Sequence, residues 1–255
     1  MFDWHRRGII VGLRECYYID FFFEYRDRIF SWYEYNEGTC RRGDEMKDGS
    51  VFWNNVAGRY DEYTKERYQN AYDRLLTISK KYLKKTDRVL DLGCGTGLTT
   101  LPMSREVKEI VAIDFSPKMI EVAKMKAAYG GISNITFCLE RAEKEITVYE
   151  PFDIVVAFNL LCYIKDPTAV YRQINHALKP GGIFLSATDC LGEDDPWLRR
   201  MMKVSLMFGA APVIRFISKM KLEEEIQSFG FQIFERENLY SSPPNYLIVA
   251  EKAMH

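Results

Sequence analysis

Two hydrophobic patterns alternate along the chain from residue 68 onwards. Short apolar runs predict buried strands at about 88–92, 109–114, 135–139, 152–158 and 182–188. Amphipathic segments between them predict helices at about 68–83, 98–106, 116–128, 168–178 and 221–229. Two closing strands are expected at about 232–237 and 246–252. This alternation predicts an α/β fold, a doubly wound sheet with helices on both faces.

Two helix boundaries carry signals of their own. Ser116 followed by Pro117 is a favourable helix start, because a serine hydroxyl caps the helix and proline is tolerated in its first turn. The sequence Lys179-Pro180-Gly181-Gly182 is expected to end the preceding helix.

The composition is that of a soluble globular protein. Hydrophobic residues make up 47% and charged residues 28% of the chain. Its length of 255 residues is enough for one α/β domain with appendages. The net charge of -1 argues against a nucleic-acid binder that uses a large basic surface. No apolar run reaches about 18 residues, so no membrane span is expected.

The six cysteines, at positions 16, 40, 94, 138, 162 and 190, form no C-x-x-C pair. A disulfide framework or a zinc site is therefore not expected. No signal peptide is visible, and a reducing cytoplasm is the expected location.

The most informative stretch is RVLDLGCGTGL, residues 88–98. An apolar run that ends in a turn with Gly93, Gly95 and Gly97 is typical of a buried parallel strand that leads into a helix. Ligands of open α/β sheets bind at this end of the strands, where glycines allow positive φ and close approach to the backbone. The spacing is G-x-G-x-G, whereas a dinucleotide fingerprint needs G-x-G-x-x-G. Asp91 also suits a cationic ligand better than a pyrophosphate.

This stretch resembles motif I of the class I S-adenosylmethionine-dependent methyltransferases, whose pattern is D/E-x-G-x-G-x-G. The resemblance covers about residues 50–252 and is to the small-molecule type of this family. It implies a Rossmann-like seven-stranded sheet in the order 3-2-1-4-5-7-6, with strand 7 antiparallel, and a helical lid. It also implies S-adenosyl-L-methionine as cofactor and S-adenosyl-L-homocysteine as product.

The first 45 residues show no clean hydrophobic period and mix aromatic with charged side chains. We expect an aromatic-rich extension at 1–45 and the methyltransferase domain at 46–255, with lid elements at about 50–67 and 189–220. The extension could cover the domain, form part of a lid or have little role. The segment from Met46 resembles the usual start of a small methyltransferase, so Met46 as the true first residue stays open.

Asp114 ends the second predicted strand and is a candidate ribose ligand. A carboxylate there can accept two hydrogen bonds from a ribose diol, while a cap for the following helix is the alternative. The segment from Phe115 to Met119 resembles motif II, in which the residue after the acid lies on the adenine.

The third predicted strand ends in Leu139-Glu140-Arg141-Ala142-Glu143, where many relatives have an aspartate at the position of Arg141. That aspartate accepts a hydrogen bond from the adenine amino group, which arginine cannot do. The backbone of Arg141 and Ala142, or the Glu143 carboxylate, is expected to meet the adenine edge instead. A solvated charged turn is the alternative.

Two further segments resemble cofactor-binding motifs. FDIVVAFNLLCYIKD resembles motif IV and implies residues at the methionine end of the cofactor, and VAGRYDEY resembles the Y-D that closes over its carboxylate, with simple packing of Tyr60 as the alternative. The expected cofactor-binding residues are Tyr60, Asp91, Gly93, Cys94, Gly95, Gly97, Asp114, Phe115, Met119, Arg141, Ala142, Glu143, Phe158, Asn159 and Leu160.

Methyl transfer from a sulfonium requires orientation, exclusion of water and, where needed, removal of a proton from the nucleophile. Neither a histidine-based triad nor a metal-ligand spacing is visible. Candidate bases are Tyr163, Glu193, Asp194 and Asp195. The expected acceptor is a small organic molecule, with a protein or RNA acceptor as the alternative.

Two other classes of function stay open at this point. A nicotinamide oxidoreductase shares the fold, although the glycine spacing and Asp91 argue against it. A non-enzymatic S-adenosyl-ligand-binding module is kept open by Arg141, and by Cys162-Tyr163 where relatives often have His-His.

Overall fold

The computed structural model describes residues 49–144, 151–193, 214–241 and 244–254. The strands are β1 Arg88–Leu92, β2 Glu109–Asp114, β3 Ile135–Leu139, β4 Phe152–Phe158, β5 Leu178–Asp189, β6 Phe231–Ser241 and β7 Pro244–Lys252. The helices are α1 Ser50–Val56, α2 Tyr60–Lys80, α3 Thr100–Ser104, α4 Pro117–Tyr129, α5 Thr168–Ala177 and α6 Lys219–Ser228. The predicted extension at 1–45 and the part of the predicted lid at 194–213 lie outside the described residues.

The seven strands form one sheet in the order β3-β2-β1-β4-β5-β7-β6, as predicted. Strands β1 to β5 pair in parallel, and β7 runs antiparallel to both β5 and β6. The central runs of β1 and β4 are buried on both faces. Continuous apolar runs are typical of strands that helices cover on both sides.

Helices cover both faces of the sheet. On one face, Leu75 of α2, Met103 of α3 and Ile120 of α4 pack on apolar residues of the strands. On the other face, α5 and α6 contribute Val170, Tyr171, Ile174, Leu222 and Ile226 to the core. No helix in the described ranges is both long enough and apolar enough to cross a membrane.

The start of α2, the length of α3 and the start of β5 are among the element boundaries that differ from the sequence predictions. Helix α2 begins at Tyr60, eight positions before the apolar period from which it was predicted, and Asp61 near its start binds Thr96 of the glycine turn. Helix α3 is only five residues long. Strand β5 begins at Leu178, since the segment expected to be a turn is a bulge in which Gly181 adopts a φ of 72°.

Candidate functional site at the carboxyl ends of the strands

The glycine turn after β1 is held in place by backbone hydrogen bonds. The N–H groups of Gly93 and Cys94 both donate to the Ile113 carbonyl of β2, at 2.8 and 3.0 Å. The three loop glycines have φ values of 75°, 54° and 77°, in the left-handed region that favours glycine. The sequence prediction of a tight turn at this edge of the sheet is confirmed.

The three glycines differ in what surrounds them. A Cβ on Gly93 would lie 3.0 Å from Leu160, and one on Gly97 would lie 2.2 Å from Leu101, so both positions are closed by protein atoms. A Cβ on Gly95 would meet no atom within 4 Å. Gly95 therefore exposes its backbone to open space at the end of the strands, as a ligand cradle requires.

Asp91 lies beneath this turn and is only 1% exposed. Its carboxylate accepts a hydrogen bond of 2.6 Å from the Thr100 hydroxyl. Burial raises the pKa of the Asp91 carboxyl to about 7, with a further increase from the charge of Asp114 and an opposing effect of the Thr100 hydrogen bond. A cation bound at this edge would favour the ionised form.

Asp114 faces the same turn from the end of β2. One of its carboxylate oxygens accepts the Gly95 N–H and the other accepts the Ser116 N–H, each at 2.9 Å. Burial raises the pKa of Asp114, and these backbone hydrogen bonds oppose the shift. Each carboxylate oxygen has a second acceptor position, which leaves the group able to receive hydrogen bonds from a ribose diol. The predicted cap of α4 is Ser116, whose hydroxyl accepts the Met119 N–H.

The predicted adenine side brings Phe115 and Arg141 together. The Arg141 guanidinium lies over the Phe115 ring, 5.1 Å from its centroid. Ala142 is buried and Glu143 is exposed at the same turn. The Phe115 ring and the Arg141 guanidinium are flat groups on which an aromatic base could stack.

Two predicted cofactor residues are buried among protein atoms. Met119 packs with Val56 and Ala57 beneath α1. Cys94 is buried in the core, and burial raises the pKa of its thiol. Both residues therefore pack in the apolar core next to the site.

Sequence reasoning missed a polar contact that fastens the start of α2 to the glycine turn. One Asp61 carboxylate oxygen accepts the Thr96 hydroxyl proton, and the other pairs with the Lys126 ammonium of α4. Lys126 also donates to the Thr96 carbonyl at 2.9 Å. The Y-D pattern indicated this region, but nothing local indicates the two partners.

The end of β4 contributes a strained residue. Asn159 has a φ of 52°, and it is the only non-glycine residue with positive φ in the described ranges. Its side-chain N–H donates to the Tyr72 hydroxyl at 3.1 Å, and its side-chain oxygen accepts from Asn245 of β7 at 2.8 Å. Phe158 before it is buried, and Leu160 after it covers Gly93. Strained non-glycine residues of this kind cluster at functional sites.

Tyr60 and Tyr163 lie on the same side as Asn159. The Trp53 ring contacts both of them edge-on, with centroid distances of 6.3 Å to Tyr60 and 4.9 Å to Tyr163. Burial raises the pKa of Tyr60, and a hydrogen bond joins its hydroxyl to Tyr72. Tyr60 is thus protonated near neutrality, and both rings pack on Trp53.

The three other candidate bases are not assigned a position in the site. Glu193 ends the short turn Leu191–Glu193 that follows β5. Asp194 and Asp195 lie outside the described residues. In the part of the chain that is described, no group of three or more histidine, cysteine or acidic side chains could hold a metal ion.

This sheet, with a glycine turn and a carboxylate at the carboxyl ends of β1 and β2, is typical of Rossmann-like enzymes that bind nucleosides. A family model described as a methyltransferase domain matches residues 83–229, more than half of the chain. The chain belongs to the class I S-adenosylmethionine-dependent methyltransferases, and S-adenosylmethionine is its cofactor. The nicotinamide alternative is thereby removed.

Curated relatives agree with this family. The chain is 36% identical over 195 residues to the ubiquinone biosynthesis O-methyltransferase of Cereibacter sphaeroides (strain ATCC 17029), which covers 72% of this chain and 75% of the relative. It is 27% identical over 192 residues to the protein of the same name from Sinorhizobium fredii, covering 66% and 73%. It is 32% identical over 139 residues to the malonyl-[acyl-carrier protein] O-methyltransferase of Bacillus anthracis, covering 53% and 50%.

Solved structures share the fold. A methyltransferase in complex with the Haloferax volcanii Trm112 activator superposes with a TM-score of 0.64 at 17% identity, over 79% of this chain and 97% of that one. The [4+2]-cyclase SpnF has a TM-score of 0.60 at 21% identity, over 72% and 82%. At such identities the likeness shows the fold alone, and one fold can host different reactions.

Proposed function

We propose that this methyltransferase transfers a methyl group to a hydroxyl oxygen of a small aromatic molecule. The observation that carries the proposal is the set of half-buried tyrosines around Asn159, on the side of the site away from Asp114. Their rings suit a flat apolar acceptor, and their hydroxyls suit a polar substituent on it. The relatives whose names describe O-methylation support oxygen as the accepting atom.

The residues present fit the cofactor. Gly95 supplies an open backbone cradle, and Asp114 supplies carboxylate acceptors for the ribose beside it. Phe115 with Arg141 would flank the adenine, and Asn159 would lie at the methionine end. When bound, S-adenosylmethionine supplies a sulfonium-activated methyl group for in-line displacement by the acceptor.

The chain's own contribution is orientation and exclusion of water. Trp53, Tyr60 and Tyr163 form an aromatic wall next to Asn159. Aromatic ring faces attract a cation, so such a wall favours the sulfonium and excludes water from its surroundings. The contact of Asp61 with Thr96 and Lys126 holds the start of α2 over the glycine turn.

The proposal is tested by incubating the purified chain with S-adenosylmethionine carrying a tritiated methyl group and a panel of acceptors. The panel contains phenols, catechols, carboxylic acids and amines of similar size. We expect labelled methyl ethers from phenols or catechols. Labelling of carboxylates or amines alone would contradict the choice of hydroxyl, and binding without turnover of any acceptor would favour the non-enzymatic alternative.

A Gly95→Val variant is the control for the site. It should abolish labelling of every acceptor, because its side chain would occupy the cradle. Labelling that survives this change would show that the product does not come from this site.

A further inference from the structure

We infer that Asp189, acting through the hydroxyl of Tyr240, receives the proton that the acceptor hydroxyl loses during methyl transfer. This inference rests on the proposed function, because only a hydroxyl acceptor has a proton to give up in this way. Neither residue belongs to a sequence motif of the cofactor site. The structure brings them together from the ends of β5 and β6.

Asp189 is a buried carboxylate at the carboxyl end of β5, with 4% of its surface exposed. Its Oδ1 atom accepts the Tyr240 hydroxyl at 2.6 Å and the Asn245 side-chain N–H at 2.6 Å. Tyr240 is half-buried, and its hydroxyl is the group of this residue that contacts the carboxylate. Burial raises the pKa of Tyr240, with the charge of Asp189 as a further cause, which keeps the phenol protonated.

A short chain of side-chain contacts connects this pair to the cofactor edge. The Asn245 side-chain nitrogen, which donates to Asp189, also donates to Asn159 Oδ1 at 2.8 Å. Asn159 is the positive-φ residue at the end of β4, next to the Leu160 that covers Gly93. Asp189 is therefore linked to the glycine turn through Asn245, Asn159 and the neighbouring Leu160.

Tyrosine side chains of α2 border the same pair. The Tyr68 ring lies on the Tyr240 ring at a centroid distance of 5.0 Å. Tyr72 binds Asn159 through its hydroxyl, and burial raises its pKa. An acceptor held among these rings would face the Tyr240 hydroxyl on one side.

The proton balance of the step is complete. As the acceptor oxygen forms its bond to the methyl carbon, its proton passes to the Tyr240 oxygen. The Tyr240 proton passes at the same time to Asp189 Oδ1, and the bond to sulfur breaks with its electron pair staying on sulfur. Asp189 changes from carboxylate to carboxylic acid, and it returns the proton to water through Tyr240 after the product leaves.

The same sheet offers a matched control. Tyr246 of β7 donates its hydroxyl to Glu223 at 2.6 Å, the same distance as in the proposed pair. It packs in the core on the opposite face, with α5 and α6. Tyr246→Phe therefore removes an equivalent tyrosine–carboxylate hydrogen bond away from the acceptor side.

The experiment compares Asp189→Asn, Tyr240→Phe and Tyr246→Phe with the wild type on two acceptors. Phenol is protonated at mildly alkaline pH, whereas 4-nitrophenol is largely ionised. We expect the first two variants to lose about 10²- to 10⁴-fold in kcat with phenol, the usual range for a proton-transfer group. With 4-nitrophenol, the loss in kcat of Asp189→Asn and Tyr240→Phe should be about as small as the loss of Tyr246→Phe with the same acceptor. Calorimetric titration should give each variant the wild-type affinity for S-adenosylhomocysteine.

An equal loss with both acceptors, or a loss no greater than that of Tyr246→Phe, would overturn the inference. Tyr240→Phe keeps the aromatic packing, so it provides the answer if Asp189→Asn does not fold. A wild type that methylates neither these phenols nor any other hydroxyl acceptor would overturn the proposed function as well. The two failures are thus distinguished by the behaviour of the wild type.

Discussion

The two halves of the site are built in different ways. On the cofactor side, the ends of β1 and β2 are joined by backbone groups: the turn binds the Ile113 carbonyl, and Asp114 binds backbone N–H groups. On the proposed acceptor side, the ends of β4, β5 and β7 are joined by the side chains of Asn159, Asp189 and Asn245. Thus the first half depends on a local sequence motif, and the second depends on residues far apart in the chain.

Because of this difference, we expect the affinity for the cofactor and the turnover of the acceptor to depend on different residues. A turn that is held by backbone hydrogen bonds keeps its shape when neighbouring surface side chains are changed. A network of amide, phenol and carboxylate side chains can be changed one residue at a time without moving the strands. We therefore expect substitutions in the first half to change cofactor binding, and those in the second to change turnover.

Gly95→Val gives the largest expected effect on the cofactor side. Valine at a φ of 54° is strained, and its side chain would project into the open space above the turn. We expect the affinity for S-adenosylhomocysteine, measured by calorimetry, to fall about 100-fold or more, or about 3 kcal/mol. The matched control is Gly131→Val, at a φ of 62° with equally open surroundings beyond the end of α4. Similar affinities of both variants for S-adenosylhomocysteine would contradict the proposal that the cofactor lies against Gly95.

Asp91→Asn should change how stability depends on pH. The folded pKa of about 7 lies above the usual value of about 3.9, so the folded protein retains a proton that the unfolded chain has released between these values. Stability from this group is therefore complete below about pH 4 and falls as the pH rises to about 7, by up to about 1.4 kcal/mol per unit.

The amide introduced by this substitution does not titrate, so urea unfolding of the variant should show a shallower decrease over this range. Burial also raises the pKa of Asp114, which leaves part of the slope in place. The control is Asp153→Asn, at the opposite edge of the sheet. Burial acts to raise the Asp153 pKa, but hydrogen bonds from Arg88 and Lys179 lower it overall, so this change should not flatten the slope. An unchanged slope in Asp91→Asn would contradict the proton assignment.

Asp61→Asn tests the link between the start of α2, a predicted lid element, and the cofactor half, with the smallest expected effect. The change removes the charge that pairs with Lys126, while the amide oxygen can still accept the Thr96 hydroxyl proton. Partly exposed ion pairs contribute about 1 kcal/mol or less, so the expected loss in S-adenosylhomocysteine affinity is about fivefold or less. The control is Asp73→Asn, whose partner on the exposed face of α2 is Gln69. Equal affinities of the two variants would remove Asp61 from the account.

The same contrast explains what the sequence could predict. The apolar run of β1, the glycines and the cap at Ser116 are local signals, and they indicated the strand, the turn and the helix start correctly. The side-chain contacts of Asn159 and the pairing of Asp189 with Tyr240 join residues up to 87 positions apart. No periodicity or motif encodes such contacts, since they exist only once the strand order is set.

The most direct test of the division between the two halves is calorimetric titration of S-adenosylhomocysteine into the wild type, Asp114→Ala and Asp189→Asn. Asp114→Ala removes the proposed ribose acceptor and leaves the Gly95 N–H without its partner, so its affinity should fall by about tenfold or more. Asp189→Asn should bind like the wild type while losing methyl transfer to phenol. Equal binding by all three proteins, or a larger loss in Asp189→Asn than in Asp114→Ala, would contradict the account.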